Sequence, residues 1–236
     1  MEPVEHDKYL VKGTFIDTIS RENLRIRKGY LLIENGLIQE FSEKNPDESL
    51  YLYDYSGKLI IPGLSDLHLH APQYSYIGTG MELELLDWLN KYTFPEESKY
   101  KDLEYAKTHY RFFVEDLLKS ATTRASIFAT SYVDSTLLLM DMLEEKKIYA
   151  YVGKAGRDRN VPDYYLEKNG EEETIRFIEE CIKKNYKYVK PIITPAFTVS
   201  CTDNYMEKLG GLAQKYNLPV QSHLSESLGE IELVKK

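Results

Sequence analysis

The chain has 236 residues, 42% of them hydrophobic and 29% charged, which suits a soluble globular protein with a sizeable core and excludes disordered and membrane-spanning classes. A formal net charge of −8 argues against a nucleic-acid-binding surface, which needs clustered Lys and Arg, and leaves a free nucleobase permissible as a ligand. Two cysteines, Cys181 and Cys201, are too few for a disulfide framework and point to a reducing, cytoplasmic setting, and the polar opening MEPVEHDKYLVKG holds no signal-peptide core.

The first sixty residues read as β-rich. A strand is expected over Tyr9 to Ile16, and in GYLLIENGLIQEF the Asn35-Gly36 pair supplies the positive φ angles of a two-residue hairpin turn. Glu43 to Ser49, with Pro46, reads as a loop. From Lys58 the rhythm changes to alternating strands and helices. Strands are expected at Leu59 to His70 (interrupted by Pro62-Gly63), Ala121 to Thr130, Lys147 to Lys154, Tyr188 to Thr194 and Leu218 to His223.

Between them, Leu103, Ala106, Tyr110, Phe113, Val114 and Leu117 share one helical face. A second helix opens on Glu171 to Glu173 and closes on Lys183 and Lys184, as the helix dipole prefers. A third spans about Asp203 to Tyr216, buries Met206, Leu209, Leu212 and Tyr216, and is weakened by Gly210-Gly211. Repeated strand–helix–strand units describe a parallel sheet, either doubly wound or part of a (β/α)8 barrel. No GxGxxG or GxxxxGKS turn follows any strand, which favours the barrel.

His68 and His70 end the first barrel strand on one face, with Leu69 opposite, so two imidazoles are placed to grip one metal ion. An isolated HxH is weak evidence, since strand histidines often satisfy only local hydrogen bonds. Position strengthens it, because barrels of this type build active sites at the C-terminal ends of their strands. His223 would enter the same mouth from the fifth strand, and Glu226, three residues on, lies within reach to shuttle protons. The structural alternative makes His223 a bonded core residue and Glu226 the first acid of a helix ESLGEIELVKK capped by Ser225. His6 and His109 read as solvent-exposed, Lys190 as structural or a surface charge, and Lys154 as a strand-end residue eligible for a metal bridge.

The runs LIIPGLSDLHLHAPQYSYIGTGMELELLDWLNKYTFPEE, FATSYVDSTLLL, VKPIITPAF and LPVQSHLSE resemble the guanine deaminase family of the metal-dependent amidohydrolase superfamily. The resemblance implies an α/β fold: an incomplete (β/α)8 TIM-type barrel of about five strands over residues 59–236, preceded by a small β-sandwich portion over residues 1–58. It implies one Zn2+ per chain, with iron a second option, held by His68, His70 and His223, with Glu226 as the catalytic proton shuttle. It implies a small purine substrate contacted by Gln73 and Phe197, hydrolysed at C2 to xanthine and ammonia, and a cytoplasmic homodimer without nucleic-acid or membrane partners. Ala196 stands where the family pattern has a base-reading arginine, and family members continue through three more strands carrying a further histidine and an aspartate. Related readings are a deaminase of another aminated heterocycle and a non-catalytic barrel fragment.

Overall fold

The computed structural model describes residues 6–235, so part of the polar opening, Met1 to Glu5, lies outside the described residues. The chain divides into two compact units, one ending at Gly63 and one beginning at Leu64. The sequence reading puts the boundary after residue 58, but the last strand of the first unit runs on to Ile60.

The first unit is one four-stranded sheet, built from β1 (Lys8–Ser20), β2 (Asn23–Glu34), β3 (Leu37–Ser42) and β4 (Tyr51–Ile60) in the order β3-β2-β1-β4. Among the described residues it is a single layer, where the sequence reading expects a small β-sandwich portion. Asn35 and Gly36 join β2 to β3 with φ of 53° and 75°, the mirror-image turn whose twist suits a hairpin. β1 continues past Ile16 to Ser20 and pairs antiparallel with β2. Leu10 and Phe15 of β1 and Ile33 of β2 are buried, while Leu24, Ile26, Leu37 and Ile38 are exposed. β4 pairs in parallel with β1, Tyr9 opposite Tyr51 through Lys12 opposite Asp54.

The second unit is a parallel α/β arc. Its elements are β5 (Leu64–His70), the short helices α1 (Leu85–Trp88) and α2 (Phe94–Ser98), α3 (Leu103–Lys119), β6 (Thr122–Phe128), α4 (Val133–Glu145), β7 (Tyr149–Gly153), β8 (Ala155–Gly156), α5 (Gly170–Lys184), β9 (Val189–Pro191), β10 (Thr194–Pro195), α6 (Asp203–Tyr216) and α7 (Leu228–Val234). The sheet runs β5-β6-β7-β9, all parallel. β8 pairs with β10, and the bridges Ile193↔Val220 and Phe197↔His223 add a fifth strand position. This is a partial barrel that does not close.

Helix burial follows the sequence stripe closely. Ala106, Tyr110, Phe113, Val114 and Leu117 of α3 are buried, together with Leu139, Met140 and Leu143 of α4, Phe177 and Ile178 of α5, and Leu209 and Leu212 of α6. Leu103, expected on the α3 stripe, is exposed, because it opens the helix directly after Asp102, whose carboxylate caps the amides of Glu104 and Tyr105. Met206 and Tyr216 of α6 are half-buried rather than buried. Gly210 and Gly211 lie on the exposed side of α6 with open space around them. Cys181 and Cys201 are buried free thiols. No helix among the described residues is long and apolar enough to cross a membrane.

Candidate active site

Three imidazoles meet at the C-terminal mouth of the arc. The ring nitrogens of His68, His70 and His223 lie within 4.8 Å of one another, and His70 Nε2 is 2.9 Å from His223 Nε2. β5 brings the first two there by strand alternation, and its pairing with β6 sets their depth: His70 lies opposite Phe128 and stacks on its ring at 4.6 Å. His223 is fixed from the other side. Its backbone amide donates to the Ala196 carbonyl at 3.2 Å, and its Nδ1 donates to the same oxygen at 2.7 Å.

That second bond sets the tautomer. A carbonyl only accepts, so Nδ1 carries the proton and the Nε2 lone pair faces His70. Burial, reinforced by His223, His68 and Arg157, holds His70 well below the ordinary imidazole value. Burial likewise lowers His223, against the pull of its Ala196 bond and of the Glu226 carboxylate. Neutral imidazoles with converging lone pairs fit a borderline divalent metal such as zinc, and equally iron.

Metal-free protein is expected to lose stability with acid, because both histidines bind protons less readily folded than unfolded. Their contribution is present above about pH 6.5, the unfolded value, and is lost as pH falls from there toward the depressed folded values. Urea unfolding midpoints of metal-free protein should therefore drop below about pH 6.5. A pH-independent midpoint across that range would contradict this.

The histidines line a cleft of about 700 Å³ whose walls include Gln73, Trp88, Phe94, Arg157, Ala196, Phe197 and Glu226. Ala196 and Phe197 are buried and Gln73 is half-buried. His68, His70, His223, Glu226, Gln73, Ala196 and Phe197 all lie on this one cleft. Its far wall comes from residues 72–98, a connection between β5 and α3 for which the sequence pattern suggests no element. There α1 and α2 flank a π-turn, Leu89–Thr93, and Trp88 Nε1 donates to the Thr79 carbonyl at 2.7 Å.

Glu226 is exposed on a loop braced from behind. Glu230, buried in the first turn of α7, accepts the backbone amides of Ser225, Glu226 and Ser227 at 3.2, 2.6 and 3.3 Å. Ser225 takes a φ of 57°, rare for a residue with a Cβ. Ser227, not Ser225, caps α7, in a reciprocal box with Glu230. The helix accordingly begins at Leu228, so Glu226 precedes it. Glu230→Ala removes the two oxygens that accept these three bonds and is expected to lower the thermal midpoint by the equivalent of about 1–3 kcal/mol. It should also reduce turnover, and an unchanged midpoint would show the brace to be idle.

Other expectations are revised. Lys154 is buried and its ammonium pairs with the Glu167 carboxylate, so it is committed to an internal ion pair and is not a cleft-lining residue. Lys190 is exposed. His109 is half-buried rather than solvent-exposed, its Nδ1 2.8 Å from the Tyr105 carbonyl and its ring stacked on Tyr105. His6 is half-buried and stacked on Tyr51. The residue that sequence reasoning missed is Arg157. It follows β8 at the mouth end of the arc, a position that itself signals a site, but the charged run Arg157-Asp158-Arg159 resembles a solvent loop.

Comparison with known proteins matches residues 59–236 to the amidohydrolase family. Guanine deaminase of Rattus norvegicus is 44% identical over 96% of this chain and 53% of its own length. That of Escherichia coli (strain K12) is 36% identical over 98% and 56%. A crystal structure of guanine deaminase from C. acetobutylicum with bound guanine in its active site superposes with a TM-score of 0.93 at 45% identity, covering 97% of this chain and 55% of that one. The chain spans about half the length of the curated relatives it matches.

Proposed function

The chain belongs to the amidohydrolase family, and from that premise we propose that its cleft is the purine site of a zinc-dependent guanine aminohydrolase, converting guanine and water to xanthine and ammonia. The observation that carries this reading is the convergence of His68, His70 and His223 beside Glu226 in one cleft. The three histidines would hold a single zinc ion. When bound, such an ion is a Lewis acid that makes water nucleophilic near neutral pH.

The chain's own residues do the rest. Phe197, buried in the cleft wall, offers an apolar surface for the flat base, and Gln73 offers an amide to its polar edge. Glu226 would take one proton from the attacking water and deliver it to the ring nitrogen beside C2. It would then carry the second to the 2-amino nitrogen, whose bond to C2 breaks to release ammonia and leave the C2 carbonyl of xanthine. The Ala196 carbonyl holds the His223 ring in the tautomer that leaves Nε2 free. Arg157 places a fixed positive charge near His70 and His223, opposing protonation of either.

A cytoplasmic homodimer acting on a small molecule, without nucleic-acid or membrane partners, completes this reading. Two buried free thiols suit a reducing compartment. The test is direct: zinc-loaded protein incubated with guanine should release xanthine and ammonia in equal amounts. Zinc binding without either product would reject the reading for this chain.

A further inference from the structure

The cleft wall contains a buried guanidinium with no close hydrogen bond. Arg157 is 6% exposed. Its Nη1 lies 3.4 Å from each of Ser131 Oγ, the Ala155 carbonyl and Tyr165 Oη, and its Nη2 lies 3.4 Å from Glu97 Oε2. Its Nε has no partner among the described residues. A guanidinium carries five N–H donors, and charge-assisted bonds ordinarily close to about 2.7–2.9 Å. Burying such a group with only long contacts is costly unless something else completes its shell.

The group is nonetheless held firmly charged and in place. Burial is the largest single influence and works against its charge, but Glu97, Tyr165, Cys201 and Glu167 together outweigh it and raise the Arg157 value. Glu97 is itself fully buried, and Tyr165 donates to its Oε2 at 2.6 Å. The Arg157 backbone amide donates to Glu167 Oε2 at 2.8 Å, and the Glu167 amide returns a bond to the Arg157 carbonyl at 3.0 Å. So the Arg157 backbone and the Glu97 Oε2 atom are engaged, while the guanidinium keeps only long contacts and its Nε is left over.

The strand register places this group on the cleft. β8 and β10 pair in parallel with Pro195 opposite Gly156, and the Ala196 amide donates to the Gly156 carbonyl at 3.1 Å. One register step further, Ala196 and Arg157 stand side by side on neighbouring strands, both lining the cleft with Phe197 and the histidines. Ala196 contributes only a methyl group to this wall, so the polar donor group at this register position is Arg157.

We propose that Arg157 is the specificity-determining residue of this site, donating from its guanidinium to the acceptor edge of the bound purine, the 6-oxo oxygen and N7. An arginine fork matches that pair of acceptors, as it does in guanine recognition generally. The inference rests on the purine-site reading above and adds the residue that distinguishes a 6-oxo from a 6-amino ring. A 6-amino group would turn a donor toward donors, the mismatch that a site built for hydrogen bonds rejects most strongly.

Trp88, the only tryptophan of the chain, lines the same cleft and reports binding by its fluorescence. Zinc-loaded protein would be titrated with guanine and with 2,6-diaminopurine, which share the 2-amino group and differ at C6. Guanine should bind at least about 10-fold more tightly, a lower bound for one good bidentate contact. Arg157→Lys, which keeps the charge against Glu97, should bring the two affinities within about 3-fold of each other with zinc content unchanged. The paired variant Arg157→Met with Glu97→Gln removes both charges together and should do the same, and adding Ala196→Arg to it should restore the preference. A preference that survives Arg157→Lys in folded, zinc-loaded protein overturns the assignment while leaving the purine site standing. No response to either purine from the unsubstituted protein overturns both.

Discussion

Replacing Glu226 with glutamine is expected to lower guanine turnover by about 10²–10⁴-fold, the usual worth of a positioned general acid–base group, without changing the bound zinc. Glutamine keeps the size and polarity of the side chain and removes only its ability to carry a proton between water and ring nitrogen. The backbone that presents residue 226 is tied to Glu230 through three amides, so the substitution should leave the loop where it is. Purine binding, followed through Trp88, should change little while kcat falls. If kcat were preserved, proton transfer would have to be assigned elsewhere in the cleft. A fall in zinc content would instead assign Glu226 a role in holding the metal.

His70→Ala should weaken zinc binding by more than about 100-fold, since even changes behind a ligand commonly cost 10–100-fold. His70 is the sharpest test of the cluster because its ring is both stacked on Phe128 and set 2.9 Å from His223. His109→Ala is the matched control: that imidazole is engaged with Tyr105 on α3. Competition against a chromophoric chelator would give both affinities. Equal affinity in the two variants would mean that the convergence of the three rings is structural.

Much of this arrangement was readable in the chain because it is written in local periodicities. Asn35-Gly36 specified its hairpin through backbone angles that few other pairs adopt, the α3 stripe specified its buried face, and alternation along β5 placed His68 and His70 together. β4 was missed because its partner is β1, some forty residues earlier and in parallel, and no local pattern encodes a parallel neighbour. α4 was missed because VDSTLLLMDMLEE is buried on several faces at once and leaves no single stripe. Ser227, with Glu230 three residues on, was legible as a capping box, but beginning the helix at Glu226 pointed to Ser225 instead. Arg157 lay beyond sequence reasoning for a different reason. Its relation to Ala196 exists only through the pairing of two-residue strands, and strands that short carry no alternation to read.

The contact between His70 and His223 spans 153 residues of chain. Closing so long a loop costs entropy that no neighbouring contact repays at once, so such pairings form late. Between these two residues stand β6, β7 and β9 with their helices, and each must be seated before the rings can meet. The cleft is therefore a readout of the whole arc. A substitution far from it, in the packing of α4 or α5, would be felt as lost ligand affinity before it was felt as lost helix, and any ligand gripping both ends would in turn slow the opening of every strand between them.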